Sequence, residues 1–312
     1  MVEGCMRGRT SLVVISYLTI YLVWGSTYFF IRQSVATISP LWVMAIRWTI
    51  GGFLLLAMAV ARGAFRKVPT LREVLSSIAL GLLLILGGNG LITLAERTVD
   101  SYIASLLASS TPILVALFDA ALLRKKLTLW RILGVVIGFV GVAVLLYNGH
   151  SILSSFTPAV LIGLGGVLSW ALATSLGHRF PVSGDNTLNS GIQMLFVGVL
   201  SLVAGLILGP SPAQVLSSVS GASLFGVLYL GVVGSLAFAA YTYLVAVEPA
   251  ERVVSYALVN PLIALVIGLG LGGETSTPYL AYGVVLAIIG LGFMLYGERL
   301  FQWARRRTKS ET

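Results

Sequence analysis

Residues Pro112–Tyr147, shifted by 149 positions, fall without a gap onto Pro261–Tyr296, and the two copies carry opposite charge where they turn. Pro112 lands on Pro261, Gly134 on Gly283, Gly141 on Gly290 and Tyr147 on Tyr296. Each copy reads as helix, turn, helix. The first turn, RKKLTLWR, holds Arg124, Lys125, Lys126 and Arg131, whereas its counterpart, GETSTPYL, has no basic residue and carries Glu274. Lys and Arg near the ends of membrane helices stay on the cytoplasmic side, so related units with opposite turn charge insert in opposite senses. The pattern predicts an inverted repeat, an architecture that moves solutes.

The solvent of such a chain is lipid. Of 312 residues, 57% are hydrophobic and 10% charged, and the mean hydropathy of +0.98 excludes an ordinary soluble domain. Apolar runs near 20 residues recur at about 11–32, 40–61, 74–95, 101–123, 129–147, 158–178, 187–208, 222–246, 253–272 and 278–296. Each can cross ~30 Å of hydrocarbon at about 1.5 Å per residue, which predicts an all-α integral membrane protein of ten spans.

The net charge of +9 is a matter of placement. With the N-terminus inside, 17 of the 20 Lys and Arg lie on the cytoplasmic face, only Arg32 and Arg97 fall outside, and Arg47 lies within a span. The excess is a topology signal that also suits anionic lipid headgroups; nucleic acid is not an expected partner. The first run is too long for a signal peptide, lacks a convincing cleavage site and reads as a retained helix. Cys5, the only cysteine, excludes an intramolecular disulfide.

Two polar linkers without Lys or Arg, Asn148–Thr157 and Gly209–Gly221, are expected outside. The first divides the chain into five-span halves, 1–148 and 158–298, followed by a basic cytoplasmic tail, 299–312. An odd number of spans per half forces the second to insert upside down. Trp24 and Trp170, each followed by small or hydroxylated residues, sit at similar depths in the two halves.

Pro112 and Pro261 remove a backbone donor in mid-span and strand a carbonyl that lipid cannot satisfy. Each follows a polar residue, Thr111 or Asn260, with Ser109 and Ser110 also before the first. Two readings stay open: a kink healed by neighbouring side chains, or a helix break and hinge on a central cavity. Gly134-x-x-x-Gly138 with Gly141, and Gly283-x-x-x-Ala287 with Gly290, are packing surfaces within the bundle or against a second copy, so a monomer and a homodimer are both admitted.

Charge inside a span costs about 2.5–3.5 kcal/mol on insertion scales. Arg47 matches Asn89, Trp24 and Glu96 in depth and reads either as a packing or snorkelling residue or as the partner of a substrate carboxylate. Asp119, near the inner end of its span, is expected to meet bases such as Arg131. Gly87-Gly88-Asn89-Gly90 leaves room for a ligand and supplies an amide, although tight packing explains the glycines equally well.

Trp24, Tyr28, Trp170, Tyr241 and Tyr243 are candidates to contact a planar or cationic substrate, whereas Tyr102 and Tyr256, nearer helix ends, read as interfacial belt or gate. His150 and His178 are the only histidines and both sit near helix ends, so neither a metal site nor a catalytic pair is expected. The first and sixth spans hold no deep acid of the kind expected of a proton-coupled exporter of lipophilic cations.

WGSTYFFI (Trp24–Ile31), Pro40 with Arg47-Trp48, the hairpin STPILVALFDAALLRKKLTLWRILGVVIGFVGV and the later NPLIALVIGLGLGGE and GVVLAIIGLG together resemble the drug/metabolite transporter superfamily. The likeness is to its ten-helix EamA-type exporters, and the overall pattern is most similar to YddG-like bacterial amino-acid exporters. It covers nearly the whole chain. It implies a bacterial inner-membrane bundle of two inverted five-helix repeats around a central cavity, both termini cytoplasmic, exporting small metabolites by alternating access without a cofactor. Members often close the fourth span with an acid, where Lys125 stands here, so a symmetrical gate is not assumed.

The sequence therefore predicts a membrane transporter and not an enzyme, with amino acids, aromatic ones among them, as substrates. Trp24, Tyr28, Arg47, Asn89, Ser109, Trp170, Tyr241, Tyr243 and Asn260 are expected in a cavity lined by the first, third, fourth, sixth, eighth and ninth spans. Alternatives are a multidrug or nucleotide-related carrier and, from another class, a channel or structural membrane protein; phosphate would call for more deep cations than Arg47 alone.

Overall fold

The computed structural model describes residues 2–64, 67–124, 128–146, 157–248, 253, 256–275 and 278–310, and among these every regular element is helical. Seven helices are long and apolar enough to cross a bilayer: Thr10–Val35, Pro40–Ala61, Leu71–Ala95, Ser101–Leu123, Pro158–Leu176, Asn186–Leu208 and Gly221–Leu244. Shorter apolar stretches, Ile132–Gly141, Val259–Leu271 and Leu280–Phe293, lie within Leu129–Leu146, Tyr256–Leu271 and Leu280–Ser310. In chain order these are the first to tenth spans. The end bearing residues 36–39, 96–100 and 272–275, which the charge pattern puts outside, is called the outer end.

Starts follow local chemistry. Thr70 and Glu73 form a capping box at the third span, and Thr157, Asp185 and Ser220 accept the amides of Val160, Leu188 and Ser223, satisfying donors that the first turn leaves free. The linker expected as a loop at 209–221 differs: Ser211 and Gln214 form a second capping box, and Pro212–Ser218 folds as a short helix. The tenth helix also continues through the basic tail to Ser310. The turn 125–127 and the linker 147–156, with His150, lie outside the described residues.

Two spans are irregular. Leu82–Gly90 is π-helical, so the GGNG segment is wound wider than its flanks; Ser169 of the sixth span donates to the Leu83 carbonyl at 2.7 Å. The fourth span divides into Ser101–Ser109 and Thr111–Leu123. Hydroxyls heal the gap: Ser109, Ser110 and Thr111 donate to the carbonyls of Leu106, Leu107 and Ala108 at 2.7, 2.6 and 2.7 Å. The Ala108 carbonyl is the one that the imide nitrogen of Pro112 cannot reach. Around Pro261, by contrast, Tyr256–Leu271 runs on unbroken. With its amide nitrogen turned toward them, Asn260 donates to the carbonyls of Tyr21 and Tyr256 at 3.2 Å each, one tie within its helix and one across to the first span.

Packing follows a two-fold exchange of the halves. The first span packs on the eighth as the sixth does on the third, and the first on the ninth as the sixth on the fourth; second and seventh, fourth and ninth, and fifth and tenth pair with their own counterparts. Glycine permits two of these approaches. A Cβ on Gly52 would meet the Leu195 backbone at 2.5 Å and one on Gly198 the Thr49 backbone at 2.5 Å. On the other seam a Cβ on Gly141 would meet the Ala287 nitrogen at 2.5 Å, and one on Gly290 the Gly134 carbonyl at 2.7 Å. The small residues of the fifth and tenth spans thus face each other within one molecule.

The exchange is imperfect at the outer end. There the first span packs on the outer half of the fourth, and among the described residues the sixth and ninth make no comparable contact. Arg32 donates to the Glu96 carbonyl at 2.8 Å and pairs with Asp100 at 3.4 Å. Glu274 accepts the amide of Ser101 at 2.8 Å, and Tyr102 donates its hydroxyl to the Thr275 carbonyl at 3.0 Å. The outer end is closed.

Candidate functional site

A cavity of about 80 Å³ lies where the halves meet, room for several water molecules in this conformation. It is lined by Trp24, Thr27, Tyr28 and Ile31 of the first span, Asn89 of the π-helical third, Ser105 and Ser109 of the fourth, Trp170 of the sixth, Phe238 of the eighth, and Tyr256 and Asn260 of the ninth. The second span, missing from the expected lining, contributes Arg47 and Trp48.

Arg47 is the chemical centre. Only 5% of it is exposed; its Nη1 donates to Asn89 Oδ1 at 2.9 Å, and its guanidinium carbon lies 4.1 Å from the Trp48 ring centroid. Its Nε has no hydrogen-bond partner. Among the described residues no carboxylate pairs with Arg47, and the carboxyl that acts on it through space is Glu96. A buried guanidinium with an unsatisfied edge calls for an anionic acceptor, and a planar carboxylate matches its fork. Gly234 borders the guanidinium without crowding it, since a Cβ there would come 4.0 Å from Arg47 Nη2, an ordinary contact.

Part of the cavity wall is aromatic. Trp24 is its hub, with ring centroids 4.9 Å from Tyr241, 5.1 Å from Tyr256, 6.3 Å from Phe238 and 6.4 Å from Trp170. The Tyr256 and Trp170 rings stand edge-on to it, at 88° and 89°, the arrangement that aromatic quadrupoles favour.

Trp24, Tyr28, Arg47, Asn89, Ser109, Trp170, Asn260 and Pro261 all line this cavity. Tyr241 stands behind Trp24, outside the lining, and Tyr243 and Pro112 are not among the lining residues. Tyr256, read from sequence as belt or gate, faces the cavity; its spacing of four from Asn260, one helical turn, was the signal that placed both on one face. Tyr102 is fully buried at the outer end, and no belt position results. Asp119 accepts the hydroxyl of Ser175 at 2.6 Å across the fourth–sixth seam, while the side chain of its expected partner Arg131, like that of His178, lies outside the described residues. Gly88 serves both readings of its motif: it lines the cavity, and a Cβ there would meet Trp170 at 3.0 Å.

Known proteins give the same outline. The model of the EamA-like transporter family matches the chain twice, over residues 11–147 and 157–296. An inner membrane transporter of uncharacterised function from Escherichia coli K12, YedA, is 36% identical over 302 residues, 95% of each chain. The uncharacterised transporter YvbV of Bacillus subtilis is 27% identical over 293 residues, 91% of each. One solved crystal structure superposes with a TM-score of 0.63 at 21% identity, covering 91% of this chain and 97% of the other, a likeness of fold.

Proposed function

The chain belongs to the EamA-like transporter family, and we propose that it exports small carboxylate-bearing metabolites, amino acids first among them, by alternating access across the inner membrane. The single observation behind this reading is Arg47, a buried cation that one amide holds in place and that no carboxylate among the described residues contacts. In the proposed complex the substrate carboxylate takes the free Nε edge of Arg47, the Asn260 and Ser109 side chains meet the polar head, and Trp24, Trp170 and Tyr256 contact the side chain. The aromatic wall favours apolar and aromatic side chains over charged ones. Both termini are cytoplasmic in this reading, and residues 1–148 and 158–298 are the two units that rock about the cavity.

Closure of the outer end with a cavity beneath it supports a carrier over a pore, because a pore needs no alternation of seals. Counterflow in proteoliposomes tests the reading. Internal unlabelled amino acid is expected to accelerate entry of the labelled one, and Asn89→Ala and Trp170→Ala are expected to cut that flux at normal expression. Unchanged flux in both variants would overturn the cavity assignment, and non-saturable flux without counterflow would make the protein a pore.

A further inference from the structure

Above the central cavity lies a second pocket, of about 350 Å³, whose lining includes Phe29, Arg32, Gln33, Glu96, Arg97 and Glu274. It is the seam of the closed outer end, where the first span, the third–fourth turn and the ninth–tenth turn meet. Glu96 is 0% exposed there, and neither of its carboxyl oxygens has a hydrogen-bond partner. Arg32, which lines the same pocket, spends its contacts elsewhere, on the Glu96 main-chain carbonyl and on Asp100. Gln33 Oε1, also buried without a partner, lines the same pocket.

A desolvated carboxylate in this position is expensive, and a desolvated carboxylic acid is much less so. The acid also supplies a donor to a pocket that holds unmatched acceptors. The charged and titratable groups acting on Glu96 are Glu274 opposite, Arg32 and Tyr28 of the first span and Arg47 of the second, while Arg97 lines the same pocket and Asp100 shares the turn.

We propose that Glu96 is a proton-binding site, and that its protonation is what allows the outer gate to close. Opening the gate wets the pocket, lets Glu96 ionise beside Arg32, and releases the proton to the outer side. Burial first, and the Glu274 charge second, push the Glu96 carboxyl well above the usual carboxylate range against the pull of Arg32 and Arg47; Asp100 is raised by the same two causes. The sign follows from linkage: the closed state binds the extra proton, so its advantage is full at low pH and is lost as pH rises through the raised value. A neutral Glu96 also leaves Arg47 as the uncompensated charge of the central cavity, which deepens its preference for an anion.

The inference rests on the alternating-access reading but not on the substrate, and its test uses no transport. In the full chain reconstituted in nanodiscs, with Cys5→Ser, spin labels at Thr98→Cys and Thr275→Cys report the distance across the outer seam. Infrared difference spectra report the carbonyl stretch of a protonated carboxyl. From about pH 5 to about pH 9 the wild-type distances are expected to shift from short to long as that band disappears. Glu96→Gln is expected to lack the band and to hold the short distance throughout. Glu274→Gln keeps an acceptor for the Ser101 amide but removes its charge, so both transitions should move to lower pH. A Glu96→Gln protein that opens with pH as the wild type does, or a wild type without a pH-dependent band that this variant removes, would overturn the proposal. Failed counterflow beside an intact pH-driven distance change would sink the substrate reading alone.

Discussion

Glu274, in the turn after the ninth span, accepts the amide of Ser101 at the start of the fourth span at 2.8 Å, so a side chain from one repeat caps a helix of the other. Shifted back by 149 residues, the capping position is Lys125. An ammonium only donates hydrogen bonds and cannot accept an amide, so the mirror cap cannot form at the inner end. Gly268 makes room for the cap, since a Cβ there would strike the Glu274 carboxylate.

Glu274→Lys should therefore abolish the outer cap. The loss is expected at about 1–2 kcal/mol, the value of a charged helix cap, read as a lower melting temperature and faster labelling of Thr98→Cys by an impermeant thiol reagent. A melting temperature and labelling rate equal to wild type would show that the cap does not hold the outer end.

Arg47→Lys keeps the charge but loses the fork. One ammonium cannot both hold Asn89 Oδ1 and offer two parallel donors to a carboxylate, so substrate affinity should fall at least about tenfold. The check is half-saturation in counterflow with the amino acid that gives the strongest signal. An unchanged value would remove Arg47 from substrate binding.

Gly290→Ala and Gly292→Ala form a matched pair two residues apart. The first drives a methyl into the Gly134 carbonyl and the Gly138 Cα, 2.7 and 2.6 Å from the added carbon, while the second meets nothing within 4 Å. Overpacking should cost the first about 1–3 kcal/mol, and the second should be neutral or slightly stabilising through helix propensity. Equal melting curves would show that the fifth–tenth seam yields freely.

Thr111→Val removes the hydroxyl that takes the Ala108 carbonyl at 2.7 Å with little change of shape. An orphaned buried carbonyl costs about 1–3 kcal/mol, so this variant should be less stable than Thr242→Val. Thr242 also back-bonds within a helix, to Ala239 at 2.9 Å, but no proline follows it. Unfolding of the two variants side by side is the measurement.

Much of this protein follows from its order of residues alone. Hydrocarbon forces every backbone polar group into helices, so ten apolar runs near 20 residues gave ten spans, and the charge of two turns gave their opposite senses. Depth was legible too: Trp24, Arg47, Asn89, Trp170 and Asn260 are deep polar or aromatic residues where lipid tolerates few, and they share one cavity. What remained hidden depends on rotation and register. The π-helical winding at Leu82–Gly90 and the unequal outcomes at Pro112 and Pro261 depend on which neighbouring hydroxyls and amides reach stranded carbonyls. Glu96 in sequence is one acid in the turn ERTVD, matched to Arg47 in depth but with no sign that it would be buried without a partner. Only the tertiary structure closed the first, third and ninth spans over it, because desolvation is a property of what packs around a group and not of its neighbours along the chain.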